Sequence, residues 1–133
     1  MTSPIDRNTR EALVELAGAT PGLRLLVVHG SRARGDAHAG SDWDFAYEAG
    51  ESFDADRLLA ELADRLKVDR IDLVDLRRAG ALLRHRVARD GLAIFERTAG
   101  VFDGFRLRAI STWCDLAPVL EPLYAQILDE IST

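Results

Sequence analysis

The sequence predicts an α/β fold: a small mixed β-sheet flanked by helices, with further helices at the C-terminus. Two observations predict it. Short runs of strand-forming residues recur at Leu23–His29, Trp43–Tyr47, Ile71–Leu76 and Leu92–Phe95. Between them lie longer segments whose apolar residues fall at helical spacing, and strands alternating with helices build layered α/β domains. No internal repeat, low-complexity stretch or linker interrupts the pattern, so residues 1–133 are expected to form one domain. A domain of this size buries roughly two-thirds of its unfolded surface and needs no disulfide or metal to fold.

The elements follow in order. From Asp6 to Ala17, Arg10, Glu11 and Glu15 fall on one side and Ala12, Leu13, Leu16 and Ala17 on the other, with Pro21-Gly22 as the stop. Leu23–His29 reads as a buried strand ended by glycine. Gly30–Ser41 is a polar, glycine-bearing loop with room for one helical turn. Trp43–Tyr47 is a second strand, closed by Ala49-Gly50. Asp54–Leu66 is the plainest helix: Leu58, Leu59, Leu62 and Leu66 form a stripe, and Ser52 or Asp54 caps its start. Ile71–Leu76 is a third strand. Arg77–Asp90 has Leu82, Leu83 and Val87 at helical spacing, and Leu92–Phe95 is a fourth strand. From Phe102 the pattern is helical again. Pro118 is expected to break or bend it, leaving Val119–Ile131 as a last helix. Leu107 and Trp113 are expected in the core.

Composition narrows the function. Hydrophobic residues make up 47% and charged residues 29%, which excludes a disordered or collagen-like chain. The net charge is −5, whereas proteins that hold nucleic acid through bulk charge are basic, so direct nucleic-acid binding is not expected. Of 17 basic residues only Lys67 is lysine, which we read as genome composition. A single cysteine, Cys114, forms no internal bridge and suits a reducing compartment. MTSPIDRNTR lacks the apolar stretch of a signal peptide, and no apolar run is long enough to span a bilayer. A soluble, cytoplasmic protein without membrane contact is expected.

The chemistry concentrates in Gly30-Ser31-Arg32-Ala33-Arg34-Gly35 and, five residues later, Ser41-Asp42-Trp43-Asp44-Phe45. A P-loop needs Lys and Ser or Thr after its second glycine, and Asp36-Ala37 stand there instead. A dinucleotide fingerprint needs glycine where Arg32 sits. An EF-hand needs oxygen ligands at alternate positions, which Trp43 and Phe45 interrupt. On a strand, Asp42 and Asp44 point one way and Trp43 and Phe45 the other. Two adjacent carboxylates repel unless a cation lies between them. Hard oxygens favour Mg²⁺ or Mn²⁺ over zinc, and magnesium held by few carboxylates also takes oxygens from substrate phosphates. Gly30 lets the backbone approach a phosphate, and Ser31 offers a hydroxyl and an N–H. Asp72, an acid in an otherwise apolar strand, is the best third carboxylate. Asp69 precedes that strand and Asp75 faces the other way. Arg32 and Arg34 meet phosphate or pair with Asp36 and other acids. His29 reads as a packed strand residue, and His85 as a surface one. The Arg77–Arg89 cluster reads as a solvated face, with a docking surface for an acidic partner or for nucleotide phosphates as the alternative.

The run GSRARGDAHAGSDWDF, followed one helix later by the aspartate of IDLVDL, resembles the G-S-x(n)-D-x-D signature of the polymerase-β-like nucleotidyltransferase superfamily. Within it the chain resembles the minimal nucleotidyltransferases, the MntA-like antitoxins of HEPN/MNT toxin–antitoxin pairs. The catalytic resemblance covers roughly residues 24–76. It implies the nucleotidyltransferase fold, with Asp42 and Asp44 as metal ligands and Asp72 holding the catalytic metal and helping to activate the acceptor hydroxyl. It also implies that Gly30 and Ser31 bind the nucleotide phosphates, and Arg32, Arg34 and Ser41 stand beside them as candidate phosphate contacts. The implied cofactors are two Mg²⁺ ions, with Mn²⁺ as the alternative, and the implied substrate is ATP. Trp43, Phe45 and His29 depart from the residues common at their positions without removing a catalytic group.

The implied reaction is attack by an acceptor hydroxyl on the α-phosphate of a nucleotide, with release of pyrophosphate. The chain after Asp72 has no room for a large substrate domain, so the acceptor comes from outside. The resemblance makes it a tyrosine of a partner HEPN toxin, silenced by adenylylation. Two alternatives stand beside it: a steric antitoxin with a vestigial site, and an enzyme acting on a small-molecule hydroxyl such as an aminoglycoside. The last would need a homo-oligomer to build its acceptor pocket.

Overall fold

A computed structural model describes residues 4–37 and 42–132. In chain order the elements are α1 (Arg7–Gly18), β1 (Leu23–His29), α2 (Ser31–Arg34), β2 (Trp43–Ala49), α3 (Ala55–Leu66), β3 (Ile71–Asp75), α4 (Ala81–Asp90), β4 (Leu92–Glu96) and α5 (Val101–Ser132). The four strands form one sheet in the order β3-β2-β1-β4. β1 pairs antiparallel with β2 and with β4, whereas β2 and β3 run parallel, joined by the α3 crossover. The predicted mixed sheet flanked by helices is the observed one.

Alternation along the strands divides the core in two. One cluster gathers Leu26, Val28, Trp43 and Phe45 against Leu13 and Leu16 of α1 and Leu58 and Leu62 of α3. The other gathers Leu25, Val27 and Ala46 against Val87 of α4 and Phe105 of α5. Each fully buried leucine of α3 contributes about 2 kcal/mol. Asp6 caps α1 by accepting from the Thr9 N–H at 2.9 Å, and Asp54 caps α3 by accepting from the Arg57 N–H at 3.2 Å. Arg97 ties α1 to β1: its guanidinium donates to the carbonyls of Gly18, Thr20 and Leu23 at 3.1–3.2 Å.

Two expectations are corrected. Pro118 does not end a helix, because α5 runs without interruption through Pro118 and Pro122. Each proline forfeits one backbone hydrogen bond, at roughly 3 kcal/mol in a helix interior. The carbonyls so released belong to Cys114 and Pro118, both exposed, where water can satisfy them. Leu107 is not in the core but 71% exposed, since α5 buries Phe105 and Ala109 and turns Leu107 outward. Among the described residues no helix is long and apolar enough to cross a membrane.

Candidate active site

The site forms where β1 turns back into β2. β1 ends at His29. Gly30 follows with φ 71°, ψ −154°, a conformation open to glycine, and starts the single turn of α2. Gly35, with φ 83°, ends that turn in the left-handed region. A Cβ at Gly30 would collide with Oδ2 of Asp44. The backbone therefore lies directly against the carboxylate.

Register aligns the acids. His29 of β1 is opposite Asp44 of β2, and Asp44 is opposite Asp72 of β3. Paired residues project from the same face of a sheet, so His29, Asp44 and Asp72 form a row across three strands, with Asp42 two residues before Asp44. The intervening Trp43 and Phe45 turn to the opposite face, where their rings stack with centroids 5.7 Å apart. That packing anchors β2 and fixes which way its aspartates point.

The electrostatics follow from the crowding. The Asp44 carboxyl is pushed above the usual carboxylate range, first by burial; Asp72 and Asp42 push the same way, while His29 and Arg34 oppose them. Burial holds His29 below the usual histidine range, against the pull of Asp44. Its Nε2 is buried and has no hydrogen-bond partner. Asp72 is exposed rather than enclosed, because β3 is the edge strand, half-buried along its length.

A cavity of about 450 Å³ opens beside Asp44, lined also by His29, Gly30, Arg34, Arg86 and Arg89. This volume is within the usual range of small-molecule sites. Asp42 and Asp72 line a separate hollow with Asp69 and Arg70, which shares no lining residue with the cavity beside Asp44. As placed, no three His, Cys, Asp or Glu side chains among the described residues stand close enough to share one ion. The donor set still fits magnesium: three hard carboxylates from adjacent β-sheet positions, with the middle one raised in pKa partly by its neighbours' charge. A larger cavity, about 760 Å³, lies at the other end of the sheet around Glu48, Arg77 and Arg108, and none of the aspartate set lines it.

The remaining predicted residues are placed as follows. Ser31 begins α2 next to Gly30. Arg34 lines the cavity and pairs with Asp36 at 3.3 Å. Arg32 lies 4.4 Å over the Trp43 ring and lines a different hollow near α1, so it does not join the others. Ser41 lies outside the described residues. Arg86 and Arg89 belong to the cluster that the sequence offers as a solvated face or, alternatively, as a surface for an acidic partner or nucleotide phosphates, and α4 brings both to the cavity. Arg89 is also held by Asp90 at 2.9 and 3.0 Å. His85 stacks on Trp113 at 4.8 Å, with its Nδ1 buried, and is not a free surface residue.

Comparison with known proteins agrees with this fold. The family model described as polymerase β, nucleotidyltransferase matches residues 11–99. The protein adenylyltransferase MntA of Aphanizomenon flos-aquae (strain 2012/KM1/D3) is 34% identical over 120 residues, covering 80% of this chain and 79% of the relative. A crystal structure of a toxin–antitoxin with AMP-PNP superposes with a TM-score of 0.71 at 28% identity, covering 93% of this chain and 98% of that one. The tri-AMPylated Shewanella oneidensis HEPN toxin in complex with its MNT antitoxin contains a chain that superposes with a TM-score of 0.68 at 25% identity, covering 97% of this chain and 100% of that one.

Proposed function

The chain belongs to the polymerase-β nucleotidyltransferase family, as an MntA-like minimal nucleotidyltransferase, and we propose that it moves AMP from ATP to a tyrosine hydroxyl of a partner HEPN toxin and so acts as its antitoxin. The observation that carries this reading is the row of Asp44 and Asp72, with Asp42 beside it, against the glycine turn. The similar relative bears the name protein adenylyltransferase, and the similar structures are toxin–antitoxin assemblies, one with AMP-PNP and one with an AMPylated toxin. In this reading residues 1–133 are one minimal domain, and the lone cysteine suits the cytoplasm.

Asp42, Asp44 and Asp72 would hold magnesium, one ion or two, which supplies charge neutralisation on the phosphates when bound. Gly30 and Ser31 seat the phosphates: the missing Cβ allows close approach, and the hydroxyl and turn amides donate to oxygen. Arg34, Arg86 and Arg89 place positive charge where the leaving pyrophosphate gathers negative charge. Asp72, exposed on the edge strand, takes the proton of the incoming hydroxyl. The acceptor oxygen forms a bond to the α-phosphorus as the bond to the β-phosphate oxygen breaks, and catalysis is mostly positioning and charge stabilisation.

A second reading, an antitoxin that blocks its partner without transfer, draws on the open spacing of the carboxylates. One experiment separates the two. The protein, ATP, Mg²⁺ and the product of the neighbouring reading frame are incubated together and that product is weighed by mass spectrometry. Addition of AMP units to a toxin tyrosine, lost in Asp44→Asn, is expected. A tight complex with no added mass would establish the blocking mode instead.

A further inference from the structure

We infer that the C-terminal half of α5 is a docking arm for a protein partner whose apolar groove is bordered by Lys and Arg. No residue of α5 after Ala109 is buried among the described residues, yet the helix continues to Ser132. From Trp113 onward this is roughly 28 Å of helix. Along it Leu116, Val119, Leu123, Ile127 and Ile131 recur at steps of three and four, all exposed, Ile131 by 75%. That spacing makes an apolar stripe, continuous from Leu116 to Ile127 and joined by Glu130 in its last turn. Successive residues turn by about 100°. On that wheel Pro118 and Pro122 fall on the side opposite the stripe, so the missing backbone bonds do not interrupt the face a partner would cover.

The charge pattern selects the occupant. After Arg108 the chain has no Lys or Arg; its charged residues are Asp115, Glu121, Asp129 and Glu130. On the same wheel Asp115 borders the stripe near its start and Glu130 falls within its last turn, while Glu121 and Asp129 lie on the far side. Two copies pairing through this face would bring acid against acid with no cation between, which costs stability. An anionic bilayer repels the same rim. A groove edged with Lys and Arg buries the stripe and matches its borders. The inference rests on the proposed function for the partner's identity, the HEPN toxin, and adds the surface that seats it.

The test uses this chain and the product of the neighbouring reading frame as the candidate toxin, with affinity, sedimentation and AMP transfer measured in parallel. Leu123→Glu/Ile127→Glu changes only exposed positions and is expected to weaken the complex about a hundredfold. Ala125→Glu, on the opposite side, leaves it within about twofold. Asp115→Asn/Glu130→Gln is expected to flatten the salt dependence of association. Unchanged affinity for Leu123→Glu/Ile127→Glu, with AMP transfer intact, overturns the docking arm alone. A wild-type homodimer that this variant splits, or wild-type binding to phosphatidylcholine vesicles that it abolishes, assigns the stripe to another occupant and equally overturns it. A wild-type chain that neither binds the toxin nor modifies it removes the proposed function, and the docking arm with it.

Discussion

Gly30 and Asp44 touch: the α-carbon of the glycine lies so near the carboxylate that no larger residue fits without displacing it. Gly30 also has a positive φ. Gly30→Ala is therefore expected to cost at least about 1 kcal/mol in backbone strain and to turn the Asp44 carboxylate out of the row. Transfer should fall by about a hundredfold or more, as expected for a 1 Å misplacement of a reacting group. Single-turnover kinetics check it; near-normal rates would show that the contact is incidental.

Asp44 carries a stability penalty that depends on pH. Its folded carboxyl titrates above its unfolded value of 3.8, so the neutral form is favoured on folding and stability is lost as pH rises from that value through the folded pKa. Asp44→Asn removes the penalty. Without metal, the variant should melt above the wild type at pH 7. The advantage should shrink as pH falls toward 4, also because His29 becomes charged and only the wild type offers it the Asp44 carboxylate. Added Mg²⁺ should stabilise the wild type and not the variant. Thermal unfolding at pH 4–8 is the measurement, and parallel curves would contradict it.

Arg86 reaches the Asp44 cavity from α4. If it meets the phosphates, Arg86→Ala should raise KM for ATP about tenfold, from loss of a charge-assisted contact. Arg86→Lys should recover only part, since a point charge does not replace the planar fork. Arg77→Ala, whose side chain lines the distant cavity, should leave KM unchanged.

Arg97 holds three carbonyls at the junction of α1 and β1. Arg97→Ala should cost about 1–2 kcal/mol, given its partial exposure, or about 4–8 °C in Tm. Arg97→Lys should not rescue it, because three diverging acceptors need the guanidinium fork. Nucleotide binding should survive.

Much of this was legible in the residues. Each strand was a short apolar run with a turn residue at its end, so β1 to β4 were predicted close to their observed limits. Strand alternation put Asp42 and Asp44 on one side and Trp43 and Phe45 on the other before any coordinates. What was illegible came from the third dimension. Apolar neighbours made the strand of Asp72 look enclosed, but strand order, which periodicity does not encode, makes β3 an edge. Arg86 and Arg89 carry no motif, and only the packing of α4 on α5 directs them to Asp44. Pro118 looked like a stop because proline usually is one in a packed helix; here the helix is exposed, and solvent takes up the released carbonyls.

The most direct measurement is a crystal structure with AMP-PNP and Mn²⁺, using anomalous scattering to locate the metal. A peak bound by Asp42 and Asp44, with Asp72 beside it and the triphosphate running along Gly30 and Ser31, is expected. Manganese or nucleotide seated only in the arginine-lined cavity around Glu48, with the three aspartates metal-free, would contradict it.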